Sequence, residues 1–282
     1  MSQTNNSKSY KPFLKWAGGK QRLLNQYSQY FPETFNNYYE PFLGGGAVFF
    51  FLIDKLQINR RSYLFDSNEE LINTYMVVRD QVEDLISLLF EHNEKHTKDY
   101  YYQIRSLDRK NGHLSKVERA ARTIYLNKTC YNGLYRVNSH GFYNVPMGKY
   151  KNPRIVDQDL LRQSSKLLKK SVIKKSDFRF SSKGAKTGDL VYFDPPYFPL
   201  TSTSNFTGYT AYNFSEKDQI DLYKVYTDLT EKGVYCIQSN SDTDFIRDYY
   251  KKFTQIPIYA SRAINSKSNG RKKISELLII NF

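Results

Sequence analysis

The chain is poor in several features that would otherwise set its chemistry. Its only cysteines, Cys130 and Cys236, are too few and too far apart for a disulfide framework, and reduced thiols are expected. There is no CxxC spacing and no clustered histidine, so no zinc site is indicated and no metal is expected. No apolar run approaches the roughly 18 residues of a membrane-spanning helix. The polar opening stretch, Met1 to Lys11, lacks the charged-then-apolar order of a secretion signal, so a soluble cytoplasmic protein is expected. Acidic residues are outnumbered: Lys and Arg total 42 against 28 Asp and Glu, a formal net charge of +14. That imbalance favours a polyanionic partner, either nucleic acid or an anionic membrane surface, and does not choose between them. With 282 residues and 40% hydrophobic content, disorder throughout is excluded; one sizeable core and a smaller subdomain are affordable.

Aromatic residues are plentiful, at 16% with 25 tyrosines. Many lie among cations: Tyr100, Tyr101 and Tyr102 with Arg105; Tyr131 and Tyr135 with Arg136; Tyr143 and Tyr150 with Lys149. Interleaved rings and cations suit stacking on bases and contact with phosphates, although a single tyrosine more commonly serves in packing.

Short β-rich runs bounded by Gly, Pro or Asp predict strands at 38–42, 63–65, 171–174, 190–193, 234–238, 255–259 and 276–281. Helical patterns between them predict an open, largely parallel α/β sheet. From residue 69 to 156 the pattern changes to charged, Tyr-rich helices, at 69–92, 98–107 and 116–126, followed by a loop rich in Asn, Gly and Tyr. This reads as a mainly helical insertion between the second and third strands. Two long polar loops, 200–214 and 261–273, are of a length that often carries function. No internal repeat is found.

The strand ending at Phe42 runs into Leu43-Gly44-Gly45-Gly46-Ala47-Val48, a glycine turn entering an apolar helix. Glycines let a backbone approach a ligand closely, and Asp66, about 20 residues beyond, ends the next strand where a carboxylate can accept from ribose hydroxyls. On these residues alone a dinucleotide fits as well as S-adenosylmethionine (AdoMet).

Asp194-Pro195-Pro196-Tyr197 follows the strand at 190–193, where open α/β sheets place ligands. Two prolines remove two donors and stiffen the chain, so neighbouring carbonyls stay free as acceptors beside an aromatic platform. Such a site suits an adenine amine, a poor nucleophile because its lone pair is delocalised into the ring. Acceptance of its two N–H bonds by Asp194 and the Pro195 carbonyl would favour a pyramidal nitrogen, with Tyr197 stacked on the extruded base.

Phe13-Leu14-Lys15-Trp16-Ala17-Gly18-Gly19-Lys20, then Glu40-Pro41-Phe42-Leu43-Gly44-Gly45-Gly46, then Asp194-Pro195-Pro196-Tyr197 closely resembles the Dam-type DNA adenine methyltransferases of the D12 class, including the DpnM-like modification enzymes. The resemblance continues through Tyr131-Asn132-Gly133-Leu134-Tyr135-Arg136 and through 142–150, and reaches Arg271-Lys272-Lys273. The order of the blocks, over nearly the whole chain, is more specific than any one of them.

The resemblance implies a Rossmann-like AdoMet-dependent methyltransferase sheet in two parts, 1–68 and 157–282, with 69–156 as an inserted target-recognition domain. It implies an AdoMet pocket made by Trp16, Ala17, Gly18, Lys20, Asp66 and Asp194, with Glu40, Pro41, Phe42, Gly44 and Gly46 as its floor. Asp177-Phe178 resembles the pair that contacts the cofactor adenine, although Ser176 stands before it where DpnM-like enzymes usually have Gly. The implied partner is double-stranded DNA containing GATC. Lys15 and Tyr150 resemble the contacts to its first base pair, Leu134 and Pro146 those to the third, and Arg136 the reader of guanine in the fourth. Arg offers a bidentate fork to guanine O6 and N7, and Leu and Pro can meet a thymine methyl. Tyr131 resembles the aromatic that enters the gap left by a flipped adenine, with Asn132 and Asn138 on the same loop. Arg271, Lys272 and Lys273 read as phosphate contacts. Tyr143 departs from relatives that carry a smaller or different residue there. The resemblance places the protein in a bacterial or phage setting, acting on the nucleoid as a monomer. An RNA or protein-amide methyltransferase and a non-catalytic DNA-binding module are the competing readings; the reading loop speaks against the first and the presence of Asp194 against the second.

Overall fold

Seven apolar or β-branched runs pair into one sheet in the computed structural model, which describes residues 10–55, 60–109, 113–200, 214–260 and 274–282. In chain order the elements are α1 (Leu24–Tyr27), β1 (Tyr38–Glu40), α2 (Ala47–Lys55), β2 (Ser62–Asp66), α3 (Glu69–Asp80), α4 (Val82–Glu94), α5 (Lys98–Arg105) and α6 (Lys116–Thr129). They continue with α7 (Gln158–Leu168), β3 (Ser171–Lys175), α8 (Phe178–Ser181), β4 (Leu190–Phe193), α9 (Glu216–Glu231), β5 (Tyr235–Ser241), α10 (Asp244–Tyr249), β6 (Thr254–Ala260) and β7 (Ile274–Ile280). The sheet order is β3-β2-β1-β4-β5-β7-β6. β1 to β5 pair in parallel, and β7 is antiparallel to both of its neighbours. This is a Rossmann-like α/β sheet, as expected, with a reversed β7 that the pattern of apolar runs did not specify.

Successive strand residues point to opposite faces, and both faces are buried. Tyr38, Leu190 and Tyr192 join one core with Leu64, Ile173 and Leu278. Tyr39, Val191 and Phe193 join the other with Phe65, Cys236 and Ile279. β1 stops at Glu40 rather than at residue 42 because Pro41 has no N–H to add to the ladder.

The helix expected over 69–92 is two helices. Gln81 adopts φ −136°, ψ 42° between α3 and α4. Arg79 donates to the Ser171 carbonyl at 3.0 Å, tying the end of α3 to β3. α3 thus stays on the sheet, with Leu71, Ile72 and Tyr75 in the first core, and α4 turns away to pack on α6 and α7. A Ser115–Glu118 capping box starts α6.

Around this bundle the tyrosines of the 100–102 run are engaged in the protein's own packing, in keeping with the more common role of a single tyrosine. Tyr101 is fully buried and donates to the Val145 carbonyl at 2.9 Å; Tyr100 bonds His92 Nδ1 at 2.7 Å. The Arg105 guanidinium lies over the Tyr102 ring at 4.7 Å. Burial of long amphipathic rings against α6 outweighed the local pattern of rings and cations. No described helix is long and apolar enough to cross a membrane. Loops 201–213 and 261–273, with Arg271, Lys272 and Lys273, lie outside the described residues.

Candidate active site

β1 and β4 are sequence-distant neighbours, and the connections leave them in opposite directions. A crevice opens at such a switch point, outside the carboxyl ends of the strands. Here it is a cleft of about 1650 Å³, reached by the Trp16–Lys20 segment, the Glu40–Gly45 turn, Asp66, Asp177-Phe178 and Asp194–Tyr197.

At one end, Asp194 follows the wholly buried β4. Lys20 Nζ lies 2.9 Å from its Oδ1, and Ser239 at the end of β5 donates to the same oxygen at 2.9 Å. Ser239 is itself held by the Tyr192 hydroxyl at 3.1 Å. Both contacts to Asp194 among the described residues fall on Oδ1, which leaves Oδ2 for a ligand. Lys20 also donates to the Gly18 carbonyl at 3.0 Å and sits 4.4 Å from the centroid of the Tyr197 ring. One cation thus joins the carboxylate to the aromatic platform. Behind the prolines, Gln219 donates to the Pro196 carbonyl at 2.9 Å and accepts from Asn240 Nδ2 at 3.0 Å. Asn240 Oδ1 in turn accepts the Phe198 N–H at 3.1 Å. Gln219 thus engages the Pro196 carbonyl, whereas no bond to the Pro195 carbonyl is found among the described residues. Ser239, Asn240 and Gln219 were not singled out in the sequence. A signal existed: β5 ends in a polar Gln-Ser-Asn-Ser run in an otherwise apolar strand, and a buried polar run needs partners.

At the other end, Gly44 has φ +49°, and a Cβ there would meet Trp16 Cδ1 at 2.9 Å. The glycine lets the turn press against the tryptophan, whose far side stacks on Tyr135 at 5.4 Å between centroids. Gly46 does not line the cleft. It is buried behind the turn, where a Cβ would sit 2.7 Å from the Tyr75 hydroxyl. Pro41 is buried as well, but it lines the cleft floor with Glu40 and Phe42. Asp66 accepts the Gly44 N–H at 3.0 Å and the Asn68 N–H at 2.9 Å. Burial pushes its carboxyl up, and these backbone donors pull it back. Burial pushes the Glu40 carboxyl well above the usual carboxylate range; Tyr38 donates to it at 2.9 Å, and it has no ion-pair partner among the described residues. A buried acidic group without a cation, at the edge of a cleft, fits a cationic ligand. Phe42 and Phe178 stack at 5.5 Å, with Phe214 edge-on to Phe42 at 5.8 Å. Asp177 caps α8 and pairs with Arg179 at 3.0 Å. Its carboxylate is thus already engaged, at the rim of the cleft.

The loop after α6 begins at the cleft mouth. Lys15 lies over the Tyr150 ring at 4.8 Å, and both line the cleft. Beyond the mouth the chain forms a hairpin. Tyr131 N–H donates to the Pro146 carbonyl at 2.9 Å, and Asn144 N–H donates to the Arg136 carbonyl at 3.0 Å. Asn132 takes φ +55°, the left-handed region that Asn tolerates. Asn138 Oδ1 accepts the His140 and Phe142 N–H groups at 3.1 and 3.0 Å, so that oxygen is spent on the turn. Tyr131 is 53% exposed, Pro146 and Arg136 are exposed, and Arg136 Nε donates to Asn144 Oδ1 at 2.7 Å. Leu134 is half-buried against Trp16 and Tyr135. Tyr143, the departure from related sequences, is a buried strut: it donates its hydroxyl to the Leu134 carbonyl at 2.8 Å and its N–H to Asp108 at 2.7 Å. Lys128, also unforeseen, reaches the cleft from α6; burial and the neighbouring Lys15 lower its ammonium to about 8.

A model of the D12 class N6 adenine-specific DNA methyltransferases matches residues 16–264, nearly all of this site and its scaffold. The chain belongs to that family. It is 43% identical over 281 residues to a type II methyltransferase of Lactococcus lactis subsp. cremoris, covering 98% of this chain and 97% of that one. It is 44% identical over 287 residues to a type II methyltransferase of Methanocaldococcus jannaschii, covering 96% and 99%. A DNA adenine methylase of Serratia marcescens is 35% identical over 278 residues, covering 97% and 99%. The D12 membership makes the protein an adenine-specific DNA methyltransferase and implies AdoMet as methyl donor and DNA as substrate. Among the described residues no group of three or more His, Cys, Asp or Glu side chains gathers to hold a metal.

Proposed function

We propose that the protein methylates the N6 amine of adenine within GATC in duplex DNA, acting on a base flipped out of the helix. The observation that carries this reading is the half-used carboxylate of Asp194: Lys20 and Ser239 hold Oδ1, Oδ2 has no partner among the described residues, and Asp194 lines the cleft together with Tyr197. The bound cofactor supplies a methyl group made electrophilic by its sulfonium. The protein's own residues prepare the acceptor. Asp194 Oδ2 and the Pro195 carbonyl take the two N–H bonds of the amine, favouring a pyramidal nitrogen whose lone pair is out of conjugation with the ring and directed at the methyl carbon. Tyr197 stacks on the base. Fixed acceptors need no reorganisation as charge develops on the nitrogen. Asp66 is suited to ribose hydroxyls, Phe42 and Phe178 to a purine face, and the Glu40 carboxyl, without a cation among the described residues, to the positive charge of AdoMet. Trp16, Ala17, Gly18 and Gly44 close the pocket around it.

In this reading residues 69–156 are the target-recognition insert between catalytic parts 1–68 and 157–282. Arg136 reads guanine with the fork left free by Asn144, Lys15 and Tyr150 meet the first base pair, and Leu134 and Pro146 meet the third. Tyr131, exposed at the base of the hairpin where it pairs with Pro146, fills the space of the flipped base. A role as the modification half of a restriction system is in keeping with relatives that are named type II methyltransferases. The deciding experiment methylates plasmid DNA and challenges it with one nuclease that cuts GATC only when methylated and one that cuts it only when unmethylated. Reversal of both cleavage patterns is expected. Incorporation of methyl groups without protection at GATC would overturn the site, and transfer to RNA alone would overturn the substrate.

A further inference from the structure

Tyr197 is anchored at its hydroxyl as well as along its ring. The phenol donates to Glu276 Oε2 at 2.6 Å, and the same oxygen accepts the Tyr27 hydroxyl at 3.2 Å. Glu276 comes from β7, in register opposite Ser241 at the end of β5, and Tyr27 is a fully buried residue of α1. Three segments far apart in the chain thus converge on one phenol at the cleft. Burial and the Asp194 carboxylate push the Tyr197 phenol well up, and burial with Glu276 does the same for Tyr27, so both remain donors. A carboxylate oxygen can take two donors, and a short charge-assisted bond is a directional one.

The ring needs that direction. Lys20 attracts the ring at 4.4 Å, but attraction to a ring leaves rotation about the side-chain torsions open. Among the described residues, the hydroxyl bond to Glu276 is what fixes the far end. We propose that Glu276, backed by Tyr27, is a positioning residue that holds the Tyr197 ring in the plane on which the target adenine stacks. This rests on the stacking role given to Tyr197 above.

The test is a double-mutant cycle read as kcat on GATC duplexes at saturating AdoMet, with 2-aminopurine at the target position reporting the stacked base. Glu276→Ala is expected to lower kcat about tenfold, the equivalent of one charge-assisted bond, and to leave the KM for AdoMet within about twofold. Glu276→Gln keeps an acceptor oxygen and should recover most of that loss, to within roughly threefold of wild type. In a Tyr197→Phe background Glu276→Ala should cost nothing further, because the hydroxyl it serves is gone. Should Glu276→Ala fail to fold by thermal melt, Tyr27→Phe carries the same cycle, with a loss of about threefold in wild type and none in Tyr197→Phe. Equal losses in both backgrounds would mean a general structural role and overturn the proposal, as would unchanged kcat and 2-aminopurine signal in Glu276→Ala. A Tyr197→Ala enzyme with wild-type turnover would overturn the stacking role itself, and a wild-type enzyme inactive on duplex DNA would overturn the function on which both rest.

Discussion

Asn127 accepts the Lys15 N–H at 2.9 Å and donates back to the Lys15 carbonyl at 2.7 Å. Its amide also donates to the Gly133 carbonyl at 3.0 Å. One side chain near the end of α6 thereby joins the segment that carries Trp16 and Lys20 to the loop that carries Arg136. The proposed cofactor pocket and the proposed reading loop are thus mounted on the same residue.

Asn127→Ala should therefore lower stability and specificity together. It strands one donor and two acceptors, two of the three bonds being only part-buried, and a loss of about 3 kcal/mol is expected. Denaturant midpoints measure the first effect. Discrimination against sites altered at the first base pair, where Lys15 is placed, measures the second. A destabilised protein with intact discrimination would restrict Asn127 to a structural role.

Asp194→Ala should fold and bind DNA, yet lose transfer. Removing one positioned electrostatic group at a reacting centre typically costs about 3 kcal/mol, or 10²- to 10³-fold in rate. Single-turnover methyl transfer is the measurement, since it isolates chemistry from product release. Near-normal single-turnover rates in a folded protein would exclude Oδ2 as the acceptor.

Arg136 spends Nε on Asn144, and its two terminal nitrogens have no partner among the described residues. Arg136→Ala should relax choice at the fourth base pair alone, by the roughly 1–3 kcal/mol of a bidentate guanine contact. The comparison is kcat/KM on duplexes substituted at each of the four positions. A uniform fall at all four would assign the residue to phosphate.

Lys128 gives a pH dependence with a definite sign. Its pKa is lowered from 10.5 to about 8 by burial and by Lys15, with Lys11 and Arg154 adding to the effect against Asp157. In the fold the charged form is the costly one. That cost is fully present below about 8 and is relieved as pH rises towards 10.5, so this group alone makes stability rise over that window. Binding runs the other way. A phosphate at the cleft mouth favours the ammonium, so DNA affinity should weaken between pH 7 and about 9, with proton uptake on binding near pH 8. In Lys128→Met affinity should be lower and flat across that range. Wild-type affinity that is itself flat would remove Lys128 from the DNA surface.

Much of the molecule follows from local rules. Strand positions were legible because both faces of a buried sheet demand apolar runs, as at Leu190–Phe193, and because Gly, Pro and Asp end them. The site's ends were legible because glycine turns and a Pro-Pro acceptor loop are chemistry that the sequence states outright. What the tertiary structure alone decided are partnerships between distant segments. No local pattern says that β7 runs antiparallel beside β5, and only that pairing brings Glu276 to Tyr197. Nothing in Tyr100-Tyr101-Tyr102 distinguishes the fully buried Tyr101 from the exposed Tyr131 and Tyr150, since burial depends on what packs opposite. The break at Gln81 comes from Arg79 reaching β3, a contact across 92 residues. Asn127 is the clearest case: an ordinary helical asparagine by sequence, it becomes a joint because α6 ends where the Lys15 backbone has a free donor and acceptor.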